Sequence, residues 1–243
     1  MTDTAPDFAH DVAAVHEATE RLLTAVAGLD DAAVTEPSLL PDWTRGHVLA
    51  HLSRNADALV NLLTWARTDV PTPMYADAAT RDADIRRDAV RPLAAQLDDL
   101  RESGEGFTAA ARALPADRRG FRVEMRNGVV ERADRLPLRR LGEVELHHVD
   151  LGIGYTLDRL TAAFVAAELD FLTGVKFAGH AKLPALELRT ADGRSRRTGR
   201  AAEGAAPLVV TGPATALLGW LTGRGEGDEL TADGGALPVA PPL

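Results

Sequence analysis

The chain has 243 residues, 45% of them hydrophobic and 26% charged, with no cysteine and a formal net charge of −9. This composition excludes a disordered or fibrous chain and is enough for two modest cores. The acidic balance repels polyanions, so no nucleic-acid partner is expected, and a small dianionic substrate would need a local cation.

No apolar run approaches the roughly 18 residues of a membrane span, so no membrane partner is expected. The N-terminal MTDTAPDFAHDV carries acids and no basic segment ahead of an apolar run, so a cytoplasmic protein is expected. The lack of cysteine excludes disulfides, thiolate metal ligands and a protein thiol nucleophile. Any metal must be held by histidine and carboxylate, and any thiol chemistry must use a thiol brought from outside.

In chain order, Phe8, Val12, Val15, Ala18, Leu22, Val26 and Leu29 recur at three- and four-residue steps and predict a first helix. His10 and His16 lie off that stripe. A second helix is predicted after LPDWT, with Thr44 as N-cap and His47 at the capping-box position. Its apolar stripe runs Val48, Leu52, Ala56, Leu59, Leu62, Leu63 and Ala66, and the two prolines of DVPTPMY end it.

A long helical stretch is predicted over 81–114, kinked or divided by Pro92 and by the region 103–106. In FRVEMRNGVVERA, two β-prone runs flank Asn127-Gly128 and predict a hairpin. A further helix, opened by Pro137, runs to Gly152. Beyond Thr156 the pattern shifts to a helix over 158–172, strands in LPALELRTADG and APLVVTG, the helix PATALLGWLTG and a Gly/Pro-rich tail. The expected architecture is α+β overall: a four-helix bundle over 1–155 and a small α+β domain over 156–243. The glycines of GRGEGDEL match no phosphate-loop spacing.

The chemistry concentrates on two histidine pairs, His47/His51 and His147/His148. Glu143 and His147 stand at i, i+4 and share a helix face, with Asp150 one turn on. A glutamate and a histidine one turn apart in a bundle have metal-ligand spacing, although a surface acid beside a hydrogen-bonded core histidine has the same spacing. His51 sits in the apolar stretch VLAHL of another helix. Added to Glu143 and His147, it makes two histidines and a glutamate, the three-ligand set of a catalytic zinc site. His47 is a rival partner for His51, but its place in the first turn suits a capping or surface role. Asp150 is open between orienting a ligand and capping the helix. Arg224, after Gly223 at a helix end, reads on its own as a cation stabilised by the helix dipole.

LPDWTRGHVLAHLSRNADAL, with a Trp eight residues before a His, resembles the second-helix signature of the DinB-like metal-binding superfamily. RLGEVELHHVDLG resembles its second ligand motif. MYADAATRDADI and GPATALLGWLTGRG extend the resemblance to the mycothiol-dependent maleylpyruvate isomerases, along nearly the whole chain.

The resemblance implies a DinB-like bundle holding a divalent metal, zinc, through His51, Glu143 and His147. It also implies mycothiol as the low-molecular-weight thiol, a small dianionic substrate, and Arg224 as the catalytic arginine of the C-terminal domain. The implied reaction is cis-trans isomerisation of maleylpyruvate to fumarylpyruvate, as in gentisate-type degradation of aromatic compounds. Two alternatives are a mycothiol S-transferase of the same superfamily and a metal-binding stress or regulatory module without turnover.

Overall fold

Helix α1 (Phe8–Val26) begins where the Asp7 carboxylate accepts the His10 amide at 3.2 Å, and it buries Phe8, Val12, Val15, Ala18, Leu22 and Val26. His10 and His16 are exposed. The structure, a computed structural model, describes residues 7–126, 128–201 and 206–242. The chain divides into two compact units, Met1–Tyr155 and Thr156–Leu243.

In the first unit, α2 (Arg45–Thr68) opens with a reciprocal capping box. The Thr44 hydroxyl accepts the His47 amide at 3.4 Å, and His47 Nδ1 accepts the Thr44 amide at 3.3 Å. All seven residues of the stripe expected on α2 are buried. Asp69, at φ 64°, turns the chain out of the helix.

The stretch expected over 81–114 is two helices, α3 (Ala78–Asp88) and α4 (Leu93–Arg112). Pro92 lies at the division, as its missing N–H requires. Residues 103–106 do not divide α4, which continues through them. Gly104 faces α1 so closely that a Cβ there would stand 3.1 Å from the Thr19 methyl. That glycine allows two helices to approach and does not mark a break.

Strands β1 (Arg122–Glu124) and β2 (Val130–Arg132) form the expected antiparallel hairpin. Gly128 takes φ 77° in its loop, and Asn127 lies outside the described residues. Helix α5 (Leu136–Asp150) carries Pro137 in its first turn.

Helix α2 packs against α3, α4 and α5, and α1 packs against α4 and α5. Leu22, Leu52, Leu62, Leu100 and Phe107 lose all contact with solvent in this core, each side chain contributing roughly 1.5–3 kcal/mol of burial. Thus α1, α2, α4 and α5 form a four-helix bundle, with α3 laid on α2.

Two bonds pin the start of α2 to the end of α5. The Leu39 amide donates to the Asp150 carbonyl at 2.7 Å, and Arg45 Nε donates to the Leu151 carbonyl at 2.9 Å. They bring the early turns of α2, which carry His51, beside the last turns of α5, which carry Glu143 and His147.

The second unit contains α6 (Ala162–Phe171), extended by a π-helical turn over Leu172–Lys176. Its strands are β3 (Leu186–Thr190), β4 (Ser195–Thr198), β5 (Leu208–Gly212) and β6 (Thr231–Asp233). They lie in the order β4-β3-β5-β6, with β3 and β5 parallel and both outer pairs antiparallel. Helix α7 (Ala214–Thr222) follows β5 and ends at Gly223, φ 70°. The periodicity marks β3 and β5 but not β4 (SRRT) or β6 (TAD). These are the two sheet edges, where one side of the strand needs no apolar neighbour and a polar sequence is favoured.

Candidate metal centre

The second turn of α2 and the third and fourth turns of α5 bring together one atom each from His51, Glu143 and His147, all within 4.8 Å of one another. His51 Nε2 is 3.0 Å from Glu143 Oε2, and His147 Nε2 is 3.3 Å from the same oxygen. The two imidazole rings meet edge to face, with centroids 4.7 Å apart. His51 is buried, while Glu143 and His147 are partly exposed.

Bonds of about 2.0–2.1 Å in a tetrahedral zinc site place neighbouring ligand atoms about 3.3 Å apart. The two nitrogen–oxygen separations are therefore those of neighbouring ligands around a first-row divalent ion. Two imidazoles and one carboxylate are also a donor set that such ions accept.

The electrostatics of the cluster are those of a place that expects positive charge. Burial raises the Glu143 carboxyl, but hydrogen bonds from His147 and His51 outweigh it and hold the group well below the usual carboxylate range. Burial pushes the His51 imidazole down to about 4, against the hydrogen bond with Glu143, so this ring is neutral at pH 7. For His147 the balance is reversed: burial lowers it, and the bonds to Asp150 and Glu143 raise it above its ordinary value.

The other nitrogen of each histidine is also engaged. His147 Nδ1 lies 2.8 Å from Asp150 Oδ2, a carboxylate whose side chain is 2% exposed. A carboxylate on the remote nitrogen fixes the ring's orientation and leaves Nε2 to the cluster. Asp150 is therefore an orienting residue for His147. At His51 the remote nitrogen, Nδ1, meets a guanidinium: Arg81 Nη2 is 3.1 Å away. The Trp43 ring packs edge-on against His51 at 5.5 Å between centroids.

Arg140, one turn before Glu143, is entirely buried. Its Nη1 donates to the Leu52 carbonyl and to Asn55 Oδ1, both at 2.8 Å, which ties α5 to α2 beside the histidine. Burial lowers its guanidinium to about 10, which still leaves it charged at pH 7.

His47 and His148 stay out of the cluster. His47 is used by its capping box. His148 turns to the other side of α5 and stacks on Tyr155, with centroids 3.8 Å apart. Arg224 belongs to the second unit, where its Nη1 donates to the Thr222 carbonyl at 3.1 Å. Sequence reasoning gave no role to Arg81, Tyr75 or Arg140. The first two lie inside MYADAATRDADI, a motif that carried the resemblance without any assignment of its residues. Arg140 precedes Glu143 by three residues in RRLGEVELHH, but Arg139 precedes it by four, so the spacing alone does not separate the two arginines; burial of Arg140 does.

Residues 15–152 match the family profile of the mycothiol maleylpyruvate isomerase N-terminal domain, and residues 159–242 match the MDMPI C-terminal domain. Among solved structures, the chain is similar to a crystal structure of the mycothiol-dependent maleylpyruvate isomerase. The two are 28% identical, with a TM-score of 0.87 over 97% of each chain. A crystal structure of a His→Ala mutant of the mycothiol-dependent maleylpyruvate isomerase is 27% identical, with a TM-score of 0.86 over the same shares. No curated protein matches the sequence.

Proposed function

The chain belongs to the mycothiol maleylpyruvate isomerase family, and from that premise we propose that it is a metal- and mycothiol-dependent cis-trans isomerase converting maleylpyruvate to fumarylpyruvate. The observation that carries this reading is the convergence of His51, Glu143 and His147 on one point at metal-ligand spacing. These three residues would hold the ion, taken as zinc from the resemblance to the DinB-like metal-binding proteins. A bound zinc ion lowers the pKa of a coordinating thiol from about 8.5 and keeps it as the thiolate at neutral pH.

The chain's own residues prepare that event. Asp150 holds the His147 ring, Arg140 fixes α5 against α2, and Trp43 covers one edge of His51. The family's thiol is mycothiol, whose sulfur would be the nucleophile, and a chain with no cysteine agrees with a thiol brought from outside. Addition of that sulfur to the conjugated double bond of maleylpyruvate leaves a carbon–carbon single bond. Rotation about that bond, followed by elimination, gives the trans isomer and returns the thiol. The cycle consumes no oxidant or reductant.

Arg224 is assigned to a substrate carboxylate or to the enolate charge that develops during addition, by its match to the family's C-terminal arginine. A bidentate guanidinium suits either anion. The test follows the absorbance of maleylpyruvate with and without mycothiol, and identifies the product. Mycothiol-dependent loss with the thiol recovered is expected. A stable mycothiol conjugate would make the protein an S-transferase, and no thiol-dependent loss would remove the isomerase reading.

A further inference from the structure

We propose that Arg81 competes with the bound metal for His51 and, once displaced, receives an anionic group of the substrate in the cavity it already lines. This rests on the metal-dependent reading above and adds a binding residue to it.

A guanidinium has five donors and no acceptor and keeps its charge at any physiological pH. With Arg81 Nη2 3.1 Å from His51 Nδ1, that nitrogen must accept. The single proton of the neutral ring then sits on Nε2, which donates it in a hydrogen bond to Glu143 Oε2 at 3.0 Å. To ligate a metal, Nε2 must offer its lone pair, and the ring proton must stand on Nδ1 instead. There it would point at another donor. Neither side chain changes its charge; only the tautomer of His51 changes, and the hydrogen bond to Arg81 is lost. The contrast with His147 is direct, because its Nδ1 meets the acceptor Asp150, the usual partner of a ligating histidine. Arg81 and the metal therefore exclude one another at His51.

The released guanidinium has a place to act. Arg81 lines a cavity of about 350 Å³ together with Tyr75, Arg54, Arg87 and Asn61. It lies against the Tyr75 ring at 5.7 Å from the centroid. The other two arginines are neutralised in place. Arg54 is held by Asp57, Asp88 and Asp99, and Arg87 by Asp84 and Asp88. The carboxylate on Arg81 is its sequence neighbour Asp82, whose side chain is 50% exposed. Among the cations of this cavity, Arg81 has the weakest carboxylate hold, and on metal loading it loses His51 and keeps Tyr75 and Asp82. In a chain of net charge −9, it is the group suited to a small carboxylate ligand.

The experiment measures zinc affinity of the metal-stripped protein by competition with a chromogenic chelator, for the wild type, Arg81→Met and Arg81→Lys. Arg81→Met, which has the length but no donor, is expected to bind zinc roughly tenfold tighter, the size of one lost charge-assisted hydrogen bond. Arg81→Lys keeps a donor cation and is expected to stay near the wild type. At saturating zinc, Arg81→Met is expected to raise KM for maleylpyruvate with a smaller change in kcat. Equal or weaker zinc affinity in Arg81→Met overturns the competition, and an unchanged KM at full zinc overturns the anion role. Wild-type protein that takes up no zinc overturns the metal reading itself, a separate failure.

Discussion

His147 and His148 are neighbours in the chain and lie on one helix, but α5 uses them for different purposes. On one face, His147 joins Glu143 and His51 in a cluster that is partly open to solvent, with Asp150 behind it. On the other, His148 is buried against Tyr155, its ring parallel to the phenol within 3° and neither nitrogen paired. There Tyr155 donates to Glu145 at 2.6 Å, and Arg21 reaches the same carboxylate at 2.7 Å, tying the end of the first unit to α1. One face gathers lone pairs that need a cation. The other gives its charged group a partner from the protein and its histidine an aromatic surface. The chemistry of a histidine is set by what the helix turns it toward, and a step of one residue changes it completely.

This contrast can be sharpened from outside both faces. Arg224 is on neither, so Arg224→Ala is expected to keep full metal and a normal melting transition while kcat falls by roughly a hundred- to a thousandfold, the usual size for one transition-state donor. Arg224→Lys should recover part of the loss, because an ammonium offers no bidentate grip. Steady-state kinetics at saturating mycothiol, with metal content measured in parallel, reads both. Near-normal turnover in Arg224→Ala would return the residue to its helix-end role.

A smaller effect is expected on the cluster face. Asp150→Ala removes the group that orients His147 and should weaken zinc binding by roughly ten- to a hundredfold, read by chelator competition. Unchanged affinity would reduce Asp150 to a helix-end carboxylate. The smallest effect belongs to the other face. Tyr155→Phe deletes one hydrogen bond to Glu145 and should cost about 1 kcal/mol of stability, seen in urea unfolding, with zinc affinity unaltered. A loss of metal in Tyr155→Phe would mean that the two faces are coupled.

Much of this was legible in the sequence because the signals are local. The capping box of Thr44 and His47 spans four residues, and the pairing of Glu143 with His147 spans one helical turn. His51 could be joined to them only through the bundle and the family motif. Arg81 was not legible as its partner: 30 residues separate them, and a polar residue on a short helix carries no periodic mark. At Gly104, local propensity suggested a break, whereas packing against Thr19 used the missing side chain to bring two helices together. Strands β4 and β6 escaped for a related reason, since a sheet edge is defined by its neighbour and not by its own apolar pattern.

The most direct measurement is the zinc content of His147→Ala beside that of His148→Ala, by elemental analysis of protein purified in zinc-containing buffer. The account predicts about one zinc per chain in the wild type and in His148→Ala, and almost none in His147→Ala. Full zinc in His147→Ala, or its loss in His148→Ala alone, would contradict it.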